Sequence, residues 1–205
     1  MVENENKDQS TEQKILTAAK EVFLEQGMAG ARMQDIADRA GINKALLHYY
    51  FRSKDKLFEV VYNEAAAQFL PRISVLFEAD IPLFEKIERF VGTYIDLLIQ
   101  HPFIPLFVLN EMHKDAEKQI NKIWGGTTPP VHILLHQIEA EVKKGTINPI
   151  NPVQLMLNMV SMCIFPFVGR PMIKAIFKVD NNQFMLLMEE RKTAVAKFII
   201  DSLRK

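Results

Sequence analysis

One cysteine, Cys163, stands alone in 205 residues. A single thiol excludes an internal disulfide and fits a reducing compartment. Glycine is sparse, at eight residues, and no stretch alternates β-branched with polar residues, so the expected fold is all-α. No apolar run reaches the ~18 residues that a membrane span needs. The nearest candidate, Leu155 to Val168, is broken by Asn158 and Pro166. Met1 to Gln9 is polar and mixed in charge, not a basic start followed by an apolar block, so no signal peptide is expected and the segment reads as a disordered arm. These absences point to a cytoplasmic protein without a membrane partner.

Catalytic patterns are missing too. There is no phosphate-cradling glycine loop, no G-x-S-x-G elbow and no paired nucleophile and base, so neither enzyme activity, catalytic residues nor a cofactor is expected. His132 and His136 are four apart and could face one metal. Ile133, Leu134 and Leu135 lie between them, so the H-E-x-x-H pattern is absent and no metal site is expected. Cys163 lies in an apolar stretch and reads as a small buried hydrophobe.

Hydrophobic residues make up 48% of the chain and charged residues 24%, enough apolar content for a buried core. Net charge is zero, with 25 cations against 25 acids. That balance argues against a broadly basic nucleic-acid binder, but its distribution is uneven. Between Arg39 and Lys56 the cations are Arg39, Lys44, Arg52, Lys54 and Lys56, against Asp55 alone. A local cationic patch of this kind suits phosphates.

The patch lies in the stretch Arg32 to Leu57, which reads as two short helices, a tight turn and the start of a third. Ile36, Ala37 and Ala40 share a helical face. Gly41 stands where a helix must stop, because the left-handed conformation carries no Cβ penalty there. Asn43 is placed to cap the next helix and Ser53 the one after. Leu47 and Phe51, four apart, give the second helix an inner face; Lys44, His48, Tyr49 and Arg52 occupy the outer one. This is the helix-turn-helix plan, whose second helix enters the major groove. A preceding helix at about 11–26, with Ile15, Ala18, Ala19, Val22 and Phe23 inward and Gly27 at its end, completes a three-helix unit.

Several residues now carry a resemblance: Ile36-Ala37, Ala40-Gly41-Ile42, Leu47, Tyr49-Tyr50-Phe51, Ser53-Lys54 and Leu57, preceded by Ile15, Ala18, Ala19, Phe23 and Gly27. Over about residues 11–62 the chain resembles TetR-type transcriptional regulators. It departs from that pattern in having Arg32 for the usual capping threonine, Ala45 for a glycine, Leu46 for a threonine and His48 for the first of two aromatics. Ala45, Leu46 and His48 fall where base contacts would be made, so the resemblance does not carry over an operator sequence. Lys44, near the helix start, suits base edges; Tyr49, Tyr50 and Lys54 suit phosphates; Gln34 suits either. Arg32, Gln34, Asn43, Lys44, Ala45, Leu46, His48, Tyr49, Tyr50 and Lys54 form the candidate DNA-binding set.

The expected organisation is an arm and DNA-binding domain over residues 1–52, with the motif at 32–51, then a linker helix and C-terminal domain over 53–205. The linker helix starts at Ser53, and Pro71 should kink or end it. Further helices are expected from Pro82 to about Leu98, over 103–113, from Val131 to Lys144 closed by Gly145, from Asn151-Pro152 to Pro166, and from Asp180 or Asn181 to Leu203. Trp124 to Pro130 reads as a loop.

The helix over about 152–165 is apolar nearly all round, and with the last helix it carries more apolar surface than one small core can cover. A homodimer explains it, and the resemblance implies a four-helix bundle built from these two helices of each subunit. Val153, Leu157, Val160, Ile164, Phe184, Leu187, Met188, Val195, Phe198 and Ile199 are the candidate interface. The resemblance further implies an effector cavity. Phe69, Tyr94, Phe103, Phe107, Asn110, Met112, His113, Trp124, His136, Met159 and Met162 are candidates to line it for a small apolar molecule. Together these give a ligand-responsive regulator that binds palindromic double-stranded operator DNA as a dimer, most family members being repressors. The alternative is an all-helical sensor or carrier of apolar molecules that does not bind DNA.

Overall fold

The computed structural model describes residues 2–102, 104–112, 117, 121 and 130–205, with side chains for these apart from residues 2–9, 65–70, 107 and 110–112. The described residues form helices and no strand. The chain divides into two compact units, Met1–Ala67 and Gln68–Lys205.

In the first unit, α1 spans Val2–Gly30, α2 Met33–Ala40 and α3 Lys44–Tyr50; α4, Lys54–Glu78, begins here. The segment read as a disordered arm is helical from Val2. Gly27 interrupts α1 at φ 68°, and one further turn carries the helix to Gly30. The core is the expected stripe of α1 (Ile15, Ala18, Ala19, Val22, Phe23) against Ile36 and Ala37, Leu47, and Leu57, Phe58 and Val61. The Phe23 and Phe58 rings meet edge to face at 4.8 Å.

Pro71 does not end α4, which runs on to Glu78. Proline has no N–H to give the carbonyl of Ala67 four residues back. The helix thus loses a bond where the first unit closes.

The second unit holds the rest of α4, then α5 (Leu83–Gln100), α6 (Ile104–Met112), α7 (Val131–Lys144), α8 (Pro152–Val168), α9 (Arg170–Phe177) and α10 (Asn181–Leu203). The helix ends follow local chemistry. Gly145 takes the left-handed conformation after α7, at φ 73°. Asn151 accepts from the backbone N–H groups of Val153 and Gln154, with Pro152 opening α8. Asp180 and Gln183 form a reciprocal capping box at the start of α10. The short helix α9, set at 70° to α8, has no counterpart in the sequence expectation. The Trp124–Pro129 part of the expected loop lies outside the described residues.

The core of this unit is built on Ile87, Phe90, Val91 and Ile95 of α5, with Leu155, Met159 and Cys163 of α8 and Phe184, Val195 and Ile199 of α10. Phe90 stacks on Phe77 at 5.7 Å. Lys86 is a charged side chain at only 2% exposure. Its ammonium donates to the Phe77 carbonyl at 2.9 Å, which puts a cation at the negative end of α4. Burial pulls its proton affinity down, and Asp80 partly offsets this. No single helix among the described residues is long and apolar enough to cross a membrane.

Pro166 was expected to end or bend α8, yet α8 continues to Val168. The proline deprives the Met162 carbonyl of its helical donor. Arg191 of α10 supplies two in its place, Nε at 3.1 Å and Nη2 at 3.0 Å. The clasp joins α8 to α10. Removing it in Arg191→Met should cost about 1–3 kcal/mol, because a partly buried carbonyl then lacks a partner. A lowered urea unfolding midpoint with an unchanged slope is the expected result.

Candidate nucleic-acid interface

The turn between α2 and α3 follows from its residues. Gly41 adopts φ 68° and its neighbour Ile42 donates back to the Ala37 carbonyl at 3.0 Å, closing α2. Asn43 caps α3, its Oδ1 accepting from the Leu46 N–H at 2.8 Å. At the corresponding start of α2, Arg32 gives no side-chain cap, so the departure from threonine leaves that helix uncapped. Ser53 Oγ accepts from the Lys56 N–H at 3.2 Å and starts α4.

Leu47 is fully buried and Phe51 nearly so, which fixes the inner side of α3. The opposite side is open. Lys44, Ala45, Leu46, His48 and Tyr49 are all exposed, Tyr49 at 76%. Tyr50 is half-buried and packs edge to face on Tyr49 at 5.5 Å. Gln34 is exposed on α2 and donates to Asp38 at 2.7 Å.

The cations divide into two groups. Arg39 is committed within the unit: its guanidinium grips both carboxylate oxygens of Glu25, at 2.9 and 2.8 Å, and reaches Glu21 at 3.2 Å. Hydrogen bonding to Arg39 holds the Glu25 carboxyl below its usual range. Lys56 pairs with Glu59 at 3.1 Å. Lys54, expected to face phosphate, donates to the Ala31 carbonyl at 2.9 Å and approaches that of Ala29 at 3.5 Å. Among the described residues, Arg32, Lys44 and Arg52 make no ion pair. They stand ahead of α2, at the start of α3 and just after α3. The sequence missed this division because the partners of Arg39 and Lys54 lie 14 to 25 residues away.

The candidate effector residues scatter. Met159 is fully buried in the core; Tyr94 and Met162 are half-buried; His136 is exposed. Phe103, His113 and Trp124, and the side chains of Phe69, Phe107, Asn110 and Met112, lie outside the described residues. Two open clefts flank Gly92 of α5. One, of about 630 Å³, runs along α4 and α5 past Pro71, Val75 and Thr93; the other, of about 500 Å³, runs along α5 and α10 past Glu88, Lys192 and Arg204. Neither is lined by the candidate effector residues. His132 and His136 are both exposed, their rings 6.2 Å apart. Burial pushes the Cys163 thiol up to about 12, so it stays protonated and unreactive.

Of the candidate interface residues, Phe184, Met188, Val195 and Ile199 belong to the core of their own unit. Val153, Leu157, Leu187 and Phe198 are exposed, and Val160 and Ile164 are half-buried.

Lys54 and Lys44 should therefore respond differently to substitution. Lys54→Met removes bonds to backbone carbonyls and should lower stability by about 1 kcal/mol. Lys44→Met should leave stability within about 0.5 kcal/mol, since an exposed side chain without partners is lost. Paired urea titrations of the two variants check this.

The family comparisons agree with this geometry. Residues 15–61 match the family model described as bacterial regulatory proteins, tetR family, and residues 84–202 match a tetracycline-repressor-like C-terminal domain. The HTH-type transcriptional repressor NicS of Pseudomonas putida is 28% identical over 174 residues, 83% of this chain and 82% of its own. The HTH-type transcriptional activator FasR of Mycolicibacterium smegmatis is 47% identical over 47 residues, 23% of this chain and 22% of its own. Among solved structures, the regulator FadR of Bacillus subtilis, in complex with stearoyl-CoA, shares the fold: TM-score 0.60 at 18% identity, over 93% of this chain and 98% of that one. With models matching both of its parts, one of them over more than half its length, the chain belongs to the TetR family of bacterial transcriptional regulators.

Proposed function

We propose that the protein is a dimeric repressor that reads a palindromic operator with α3 and releases it when a small apolar effector binds the second unit. The observation that carries this is the two-sided character of α3. Leu47 holds its inner side in the core, while Tyr49 and an unpaired Lys44 face outward between Arg32 and Arg52. Lys44 would reach base edges from the helix start, with Ala45, Leu46 and His48 beside it. Tyr49, Arg32 and Arg52 would fix register through phosphates.

Dimerisation would use α8 and α10. Val153, Leu157 and Phe165 on α8, with Leu186, Leu187 and Phe198 on α10, are large apolar side chains between 42% and 64% exposed. Leu187 and Phe198, eleven apart, recur on one stripe of α10. A two-fold pair would set two copies of α3 about one DNA turn apart, roughly 34–36 Å, on the two halves of a palindrome.

The effector class is read from the Phe- and Met-rich second unit, and α4 is the natural lever, since it is continuous from Lys54 to Glu78 and weakened at Pro71. To act, the effector must favour one spacing of the two reading heads by about 1–3 kcal/mol. We read the protein as a cytoplasmic regulator without catalytic activity. Repression rather than activation is the family's commoner mode.

The test is anisotropy titration against a labelled duplex selected from a random pool. Lys44→Ala and Tyr49→Ala should each weaken binding at least tenfold, about 1.4 kcal/mol or more. Arg52→Ala should also flatten the slope of log affinity against log salt by about one. A chain that selects no duplex would leave the non-DNA-binding carrier as the better account, and variants that bind like wild type would overturn the assignment of contact to the outer side of α3.

A further inference from the structure

We propose that α9 is an elbow that seats on the partner copy and extends the dimer interface beyond α8 and α10. The inference rests on the dimer reading above.

Three of the eight residues of α9, Met172, Ile176 and Phe177, are large, apolar and 50% to 68% exposed. Its cationic edge is already engaged. Arg170 donates to Asn181 Oδ1 at 3.3 Å and lies over the Phe184 ring, and Lys174 donates to the same oxygen. These contacts tie α9 to the first turn of α10 and leave its apolar side outward. Among the described residues, Met172, Ile176 and Phe177 keep half or more of their surface exposed.

The elbow is continuous with the α8 face. At Gly169, between the two helices, an added Cβ would lie 3.5 Å from the Phe165 ring and 3.7 Å from the end of the Met172 side chain. Both are ordinary contact distances, so the Phe165 ring of α8 and the Met172 side chain of α9 lie beside the same point of the backbone.

Area favours a second copy as the occupant. The six exposed side chains of α8 and α10 offer on the order of 600 Å² of apolar surface, taking ~100 Å² from each, against about 800 Å² per partner in a standard interface. The α9 residues add roughly 300 Å² and bring the face to that size. Summed, these nine side chains expose more apolar area than the roughly 300–600 Å² of the largest patch on a typical monomer. An anionic lipid surface is the weaker match, because Arg170 and Lys174 are held by Asn181 and Lys178 alone at the end of α9 is left to meet its phosphates.

Sedimentation equilibrium of the full chain tests this. The double variant Ile176→Glu, Phe177→Glu should keep its helical circular dichroism and raise the dimer dissociation constant about a hundredfold, since two-fold symmetry changes both copies at once. Phe177 replaced by the photoreactive p-benzoylphenylalanine should give a covalent dimer on irradiation. A double variant that dimerises like a dimeric wild type, or crosslinks confined within one chain, would overturn the elbow and leave the dimer standing. A wild type that stays monomeric at every concentration would overturn both. Co-sedimentation with phosphatidylglycerol vesicles that the double variant loses while keeping wild-type dimer affinity would assign the face to membrane instead.

Discussion

The burial of Leu47 is the constraint on which the rest depends. A helix of seven residues has little stability of its own. It holds its orientation only because one side chain is fully enclosed and a second, Phe51, follows one turn later. Rotation of α3 by a third of a turn would take Leu47 out of that space and bring His48 toward it in one sense or Leu46 in the other. The outward direction of Tyr49 is thus a consequence of packing, and the packing rests on a turn that Gly41 and Asn43 make geometrically possible.

Prolines inside helices do different things in the two halves of the molecule. Each removes one donor from the carbonyl four residues back. At Pro166 the loss is made good by Arg191, whose two bonds reinstate the ladder from outside and join α8 to α10. At Pro71 the weakened carbonyl belongs to Ala67, where the compact first unit ends. One helical proline thus lies inside the second unit, where Arg191 replaces the lost donor, and the other lies in α4, which stays continuous to Glu78. Lys86, holding the Phe77 carbonyl, anchors the far end of α4 to α5.

Local chemistry was legible in the sequence and long-range pairing was not. Gly41, Asn43, Gly145, Asn151 with Pro152, and Asp180 end or begin helices where their own backbone preferences demand it. The stripe from Ile15 to Phe23 was equally plain, because period alone defines it. Other features depended on partners distant in the chain. Arg39 counts as a free cation until Glu21 and Glu25 are folded against it, and Lys54 until it meets Ala31. In α10, Phe184, Met188, Val195 and Ile199 turn inward while Leu187 and Phe198 do not, and composition cannot divide such a helix. The short helix α9 escaped notice because eight residues, interrupted by charges, carry too little periodicity.

The central claim is that the exposed side of α3 meets duplex DNA, and hydroxyl-radical oxidation of the protein read by mass spectrometry tests it most directly. Free in solution, Tyr49 should be among the most readily oxidised side chains of the first unit. On saturation with a selected duplex its oxidation should fall sharply, while that of the exposed Leu24 on α1 stays as it was. Equal oxidation of Tyr49 with and without bound duplex would contradict the account.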